Sequence, residues 1–457
     1  MFKKFGIYFF SVILVISISL FFINKESYDN TYGSFIKGPD MKYARQENFE
    51  AIKLKDGRVL ILGFNHKRYA ESEKEALSYV SSLKKKEKER YLNEYHHKPS
   101  EMYNPKTNSF QEVEFPKDFY YNSKGLLLND GRVLFTDVLL YDDSNNISRA
   151  FSIYNFESKK IELTLPINNK LIIKNDGTKI DKLSQEEVFI YDIDTLLLKD
   201  GNVLVMYHSP ILQEDFNNRK IYDSNYLSAL YKLAEEKNKI EIFNPKTRVF
   251  EFIGYLNLVD VKNNILLDNG DVLIVSSSLQ SSLYNPDGKK LKMIDSLNIL
   301  HSKPLLRKLD NGNILILNGS YEKVNGLASG VQKSEIFDVK DKKFKLIDRM
   351  TEVRGGDPFK DFTATKLRNG NILISGGHNS EGGRFLQLFV SPYYNYLKSA
   401  EIYDVKKNKF IKISNMYKKR RLHKAVLLDN GDVLILGGVK GRASKSTEIF
   451  KPNYSNR

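Results

Sequence analysis

The sequence predicts an all-β fold, a ring of seven four-stranded blades known as a β-propeller. Two recurrences and one match between the ends of the chain predict it. The first recurrence is an Asp-Gly or Asn-Gly step between apolar runs, at Asp56-Gly57, Asp130-Gly131, Asp200-Gly201, Asn269-Gly270, Asn311-Gly312, Asn369-Gly370 and Asn430-Gly431. Such a step is the strongest short hairpin signal, and it predicts a type I′ turn with positive φ at both central residues. A strand of the Val-Leu-Ile-Leu kind follows each one.

The second recurrence is an aromatic residue seven positions before a large apolar one: Tyr103/Phe110, Tyr154/Ile161, Phe243/Phe250, Tyr284/Leu291, Phe337/Phe344 and Tyr403/Phe410. Turn formers fill most of the gaps, as in Asn104-Pro105-Lys106-Thr107 and Asn244-Pro245-Lys246-Thr247. Asn favours the first position of a type I turn, and the proline ring pre-sets the second. Each repeat is therefore one hairpin followed by another. Four antiparallel strands repeating at tens of residues make a propeller.

The two ends of the chain predict how the ring closes. The last copy stops after its third strand, Thr447-Glu448-Ile449-Phe450, while Phe35-Ile36-Lys37-Gly38-Pro39-Asp40-Met41 parallels Phe410-Ile411-Lys412-Ile413-Ser414-Asn415-Met416. Residues 33–38 are expected to complete the seventh blade and so remove the sheet edges of an open ring. The propeller then spans 33–451 as one domain, with 25–32 a short linker and 452–457 a tail.

The order of apolar strand, Asx-Gly, Val-Leu-Ile-Leu, Gly-Gly, Glu-Ile-Tyr-Asp and a large residue seven further on resembles the kelch repeat, best in 421–450 and 363–410. Kelch repeats usually carry Trp at the last of these positions. This chain has no Trp; Phe serves in four copies, Ile161 and Leu291 in two. The glycine pair stands at Gly376-Gly377 and Gly437-Gly438, with Gly63, Gly319 and Ser276-Ser277 in its place elsewhere. The Trp-Asp and Gly-His signatures of WD40 repeats are missing. Some kelch-like propellers are enzymes, and the resemblance raises two kinds. Copper oxidases with a Tyr-Cys crosslink are excluded, because the chain has no Cys. Sialic acid mutarotases need only a few polar residues in the channel, and no residue set here identifies one.

The N-terminus has a different composition. Lys3 and Lys4 precede Phe5–Ile23, a stretch without charge that is long enough to span a bilayer. Residues 1–24 are expected to form a retained signal-anchor, a single transmembrane helix. No small-x-small cleavage pattern follows Ile23. The flanking lysines place that end in the cytoplasm and the propeller outside. The alternative is a cleaved signal peptide and a secreted or periplasmic protein. Without Cys the chain has neither a lipid-modified Cys nor a disulfide, so core packing and ring closure must stabilise it.

Four long inserts, 64–98, 207–239, 376–398 and about 164–190, are expected on one face of the ring. Three join second strands to third, one joins blades, and alternating strand directions bring both kinds out together. Binding residues concentrate on long loops carried by a rigid scaffold. Ser72-Glu73-Lys74-Glu75 fits a helix cap ahead of Leu77, Val80 and Leu83, and a second helix is expected over 226–234. Each apolar stripe either packs on the propeller or docks a partner. The third insert carries His378, Arg384, Phe385, Phe389, Tyr393, Tyr394 and Tyr396, which suit sugar or peptide recognition or else cover a neighbouring blade.

Arg45, His301, Arg307, Arg354, Arg421 and His423 each lie shortly before an Asx-Gly turn, near the channel mouth. If several point inward they form a cationic funnel for carboxylate or phosphate. The alternative for each arginine is a tie to a carboxylate or carbonyl between blades. Arg420 and Arg421 need not both face the channel, since adjacent strand residues point apart.

A formal charge of +15, almost none of it from the anchor, favours anionic partners such as cell-wall polymers, lipid headgroups and acidic glycans. Nucleic acid is not expected: there is no RNA-recognition motif, and Lys84–Lys86 reads as a solvated helix face. No metalloprotease, phosphate-loop, dinucleotide, EF-hand or nucleophile-elbow motif occurs. His96-His97 has no ligand spacing behind it. Accordingly no catalytic residue, metal or cofactor is assigned. The expected role is a binding module for a protein or glycan at the cell envelope. Its rivals are a channel-mouth enzyme acting on an acidic sugar and a structural envelope protein.

Overall fold

The structure is a computed structural model that describes residues 28–455 except 46–48, 64–98, 117–118, 122–123, 142–146, 167–191, 209–238, 257–260, 277–278, 300–303, 318–319, 325–326, 332, 355–361, 380–394 and 441. Seven antiparallel sheets stand around an axis, each with strands here lettered A to D from the axis outward. Blade 1 is Glu50–Lys53, Val59–Leu62, Glu101–Asn104 and Ser109–Glu112. Blade 2 is Gly125–Leu127, Val133–Tyr141, Ile147–Asn155 and Lys160–Pro166, with Tyr120–Tyr121 also paired to its strand B. Blade 3 is Asp192–Leu197, Val203–His208, Lys239–Asn244 and Val249–Tyr255. Blade 4 is Val261–Leu266, Val272–Ser276, Ser281–Asn285 and Lys290–Met293. Blade 5 is Leu305–Lys308, Ile314–Leu317, Ser334–Asp338 and Lys343–Ile347. Blade 6 is Phe362–Lys366, Ile372–Gly376, Ala400–Asp404 and Lys409–Ile413. Blade 7 is Lys424–Leu427, Val433–Leu436, Thr447–Pro452 and, from the other end of the chain, Gly33–Lys37. The A strands touch in sequence from blade 1 to blade 7 and back to blade 1, so the ring is closed.

The B strands explain why the apolar runs are continuous. Val59–Leu62, Ile314–Leu317 and Val433–Leu436 are buried at every residue, because both faces of each blade are covered by a neighbouring blade. Seven apolar clusters fill the seven blade interfaces. Leu60, Leu62 and Phe135 join blades 1 and 2, and Ile61, Leu434 and Leu436 join blades 7 and 1. Strand pleating divides each A strand between two interfaces, so Ile52 packs toward blade 2 and Ala51 toward blade 7.

The Asx-Gly turns are tight but differ from the expected type I′. Only the glycines have positive φ, from 83° at Gly57 to 96° at Gly270; none of the seven Asx residues does. Gly57 N donates to Leu54 O at 3.1 Å, and Leu54 N donates to Arg58 O at 2.8 Å. Lys55 and Asp56 thus form a type I turn, and Gly57 is the left-handed residue of a bulge. Asp56 stays because its Oδ1 accepts Arg58 N at 3.0 Å.

The seven-residue spacing is the register of the C–D hairpin. Tyr103 faces Phe110, Tyr154 faces Ile161, Phe243 faces Phe250, Tyr284 faces Leu291, Phe337 faces Phe344 and Tyr403 faces Phe410. Phe35 and Phe450 make the same pair across the closure, with ring centroids 4.9 Å apart. The ends are tied more widely than expected. Tyr32 OH donates to Asp404 Oδ2 at 2.6 Å, Asp29 N donates to Lys412 O at 3.0 Å, and Tyr454 OH donates to Gly431 O at 2.9 Å.

Two short ribbons rise from B–C connections, Ser320–Val324 with Leu327–Val331 in blade 5 and His378–Asn379 with Asn395–Tyr396 in blade 6. The expected anchor over 1–24 and the expected insert helices lie outside the described residues. Among the described residues no helix is long and apolar enough to cross a membrane.

Candidate functional site

The two faces of the ring are built differently. On the face of the A–B and C–D turns, lysines reach from one blade to the turn of a neighbouring blade. Lys53 Nζ meets Asp429 Oδ1 at 2.7 Å, Lys308 Nζ meets Asp268 Oδ1 at 2.6 Å, and Lys366 Nζ meets Asp310 Oδ1 at 2.7 Å. Lys55 and Lys199 donate to the turn carbonyls of Asn129 and Asp268. The face is closed by its own contacts. The opposite face carries the four long connections, from Leu62 to Glu101, Pro166 to Asp192, His208 to Lys239 and Asn379 to Asn395.

Three of the arginines near that face are structural. Arg45 pairs with Glu101 at 2.9 Å, Arg354 with Glu401 at 2.7 Å and Arg420 with Glu448 at 2.8 Å, all six side chains being buried. Each glutamate lies on strand C, and each arginine lies in the connection entering the same blade. The glutamates also accept backbone amides of those connections: Lys42 N on Glu101, Thr351 N on Glu401, Tyr417 N on Glu448. Glycine pairs seat the arginines from above. Arg354 Nη1 donates to Gly376 O at 2.8 Å and Arg420 Nη1 to Gly437 O at 2.7 Å. Gly377 N and Gly438 N donate to Arg420 O and Arg45 O, both at 2.9 Å. A Cβ at Gly376 would lie 2.5 Å from Arg420 O. Blades 6, 7 and 1 are therefore linked in series. Burial pulls the Arg420 pKa down, and Glu448 opposes that pull. Removing one partner of such a pair leaves a buried charge, at a cost of about 3–5 kcal/mol.

Arg45 and Arg354 are thus tied to buried carboxylates, the alternative to their lining a cationic funnel. A charge desolvated between blades needs a carboxylate at once, and strand C supplies it. The sequence signal for this is a Met four residues before each arginine, Met41/Arg45, Met350/Arg354 and Met416/Arg420, with each Met 1% exposed. Of the adjacent pair, Arg420 is the buried one and Arg421 is half-buried.

The remaining residues divide. Arg307 lies on strand A of blade 5, donating from Nε to Ala364 O of blade 6 at 2.5 Å and from Nη1 to Leu306 O at 2.7 Å. It is half-buried, and desolvation lowers its pKa to about 10. The other six blades carry Ile52, Leu126, Leu196, Ile265, Thr365 and Val426 at this position. His423 is buried between blades 6 and 7, with Nε2 3.1 Å from Thr363 Oγ1 and 3.2 Å from Ser375 Oγ. Burial holds its pKa well below 6.5, and Arg420, Arg354 and Lys424 push the same way. Arg421 lies over the Tyr396 ring, 5.5 Å from its centroid, and Tyr396 pairs in register with buried His378. His301, Arg384, Tyr393 and Tyr394 lie outside the described residues. The structure thus brings His378, Tyr396, Arg421 and His423 together at the blade 6–7 junction, while Arg307 stands apart. Among the described residues no group of three or more His, Cys, Asp or Glu side chains gathers as metal ligands would.

No protein-family model matches the sequence, and no curated protein matches it. Among solved structures, a fungal alcohol oxidase of the AA5 family, in complex with copper, aligns with 92% of this chain and 76% of its own at 12% identity, TM-score 0.58. That likeness is one of fold. A structure of YjhT aligns with 91% of this chain and 96% of its own at 10% identity, TM-score 0.43.

Proposed function

We propose that the chain is a kelch-like propeller, tethered to a membrane by residues 1–24, that serves as a binding module at the cell envelope. Its ligand is a protein or an anionic glycan held on the face of the long connections. The difference between the two faces carries this reading. One face is closed by inter-blade lysine contacts and short turns, and the other offers four long connections on a stapled scaffold. Enzymatic action on an acidic sugar is less well supported, because Arg45 and Arg354, which such a site would use, are spent on Glu101 and Glu401.

The test is retention of envelope components by the immobilised full chain in neutral detergent. The comparison is a variant lacking 380–394, which spares the ribbon strands and the glycine pair. Loss of specific ligands from the variant, with its unfolding midpoint unchanged, is the expected result. Equal retention by both proteins counts against that connection as the binding element.

A further inference from the structure

Charge is distributed unevenly along the chain. Between Asn395 and Ser455 there are 14 Lys and Arg against 5 Asp and Glu, so this stretch holds +9 of the formal +15. The structure also separates those charges by face. Glu401 and Glu448 are buried under Arg354 and Arg420. Asp404, Asp429 and Asp432 sit at the turns of the closed face. None of the five remains on the open face of blades 6 and 7, where Asp40 and Glu352 from other stretches of the chain pair with Lys445 at 3.9 Å and Lys412 at 3.0 Å. That face keeps exposed Lys418, Lys419, Lys440 and Arg442, none with a carboxylate partner among the described residues, and half-buried Arg421. The cations are contiguous. Arg421 bridges to Val439, and Val439 bridges to Ala443, which brings the two connections together. Lys419 Nζ donates to Asn395 Oδ1 at 3.1 Å, joining the blade 6 ribbon. Two aromatic rings lie among them, Tyr396 under Arg421 and Tyr417, which is 56% exposed and has Lys37 Nζ 5.6 Å from its centroid.

We propose that the open face of blades 6 and 7 binds a linear polyanionic glycan, a chain of sugars bearing repeated carboxylate or phosphodiester groups. This rests on the binding-module reading and names its ligand. The cations are spread over two connections and a ribbon rather than converging on one pocket, so they match charges repeated along a polymer. The exposed Tyr417 ring offers a flat apolar face to a sugar ring between those charges. Such binding weakens as salt rises, because exposed charges are screened and counterions are released.

The test uses the full chain in neutral detergent and fluorescently labelled polygalacturonate, with polyphosphate as the sugar-free competitor. Lys418→Glu/Lys419→Glu/Lys440→Glu should raise the Kd for polygalacturonate at least tenfold. Lys406→Glu/Lys409→Glu/Lys292→Glu, an equal charge change at exposed sites elsewhere, should raise it less than twofold. Tyr417→Ala should weaken polygalacturonate and leave polyphosphate unchanged. Equal loss in both triple variants would reduce the effect to net charge and overturn the proposal, as would no binding at low salt. Vesicles of phosphatidylglycerol that bind through the same lysines while polygalacturonate does not would assign the face to a lipid surface instead. In either failure, ligand retention that still depends on 380–394 would leave the binding-module reading standing.

Discussion

His423 is a base that the fold keeps neutral. It is buried, it faces two hydroxyls, and Arg420, Arg354 and Lys424 all disfavour its cation. With the folded pKa below the unfolded value of 6.5, the unfolded chain binds the extra proton, so stability falls as pH drops through that window. Between pH 6.5 and 5.5 this costs at most about 1 kcal/mol. Urea midpoints at the two pH values should differ accordingly in the parent and much less in His423→Asn; equal shifts would falsify the assignment. Single residues were also the hardest scale to read from sequence. Arg420 and Arg421 are chemically identical neighbours, and only the pleat that sends one toward Glu448 separates them. The Met-x-x-x-Arg recurrence could have made that choice, since a buried Met fixes which side of the connection faces inward.

The hairpin was legible where its signal is local. Asx-Gly located all seven A–B turns, and the aromatic spacing gave the C–D register pair by pair. The turn type was misassigned because Asx-Gly suits both geometries, and the choice depends on whether Asx or only Gly enters the left-handed region. The distinction has a measurable consequence. Gly312→Ala places a Cβ at φ +84° and 3.1 Å from Asp268 Oδ2, so it should cost about 1–2 kcal/mol. Asn311→Ala, at a position with ordinary φ, loses only the side-chain bond to Asn313 N and should cost about 1 kcal/mol or less. A type I′ turn would penalise both alike, which chemical denaturation of the two variants decides. The ribbon of blade 5 carried no comparable signal, since Asn325-Gly326 lacks the apolar strands that mark the other turns.

At the scale of the molecule, the ring is held by seven similar interfaces and one non-covalent clasp. The parallel between 35–41 and 410–416 made the clasp legible, but not its reach. Residues 28–32 bind blade 6 through Tyr32–Asp404 and Asp29–Lys412, contacts that no repeat predicts because they lie outside the repeat. Removing 28–37 should lower the thermal midpoint well beyond Tyr32→Phe and expose the Thr447–Pro452 edge, read as concentration-dependent association by light scattering. The clasp also sets an order of events during biosynthesis. Gly33–Lys37 is made first and finds its partner strand only when Thr447–Pro452 has been made. At about 5–20 residues per second, a ribosome needs roughly 20–80 s to travel that distance. Throughout that interval the first strand lacks its partner, and Phe35, buried in the closed ring against Phe450, has no such cover.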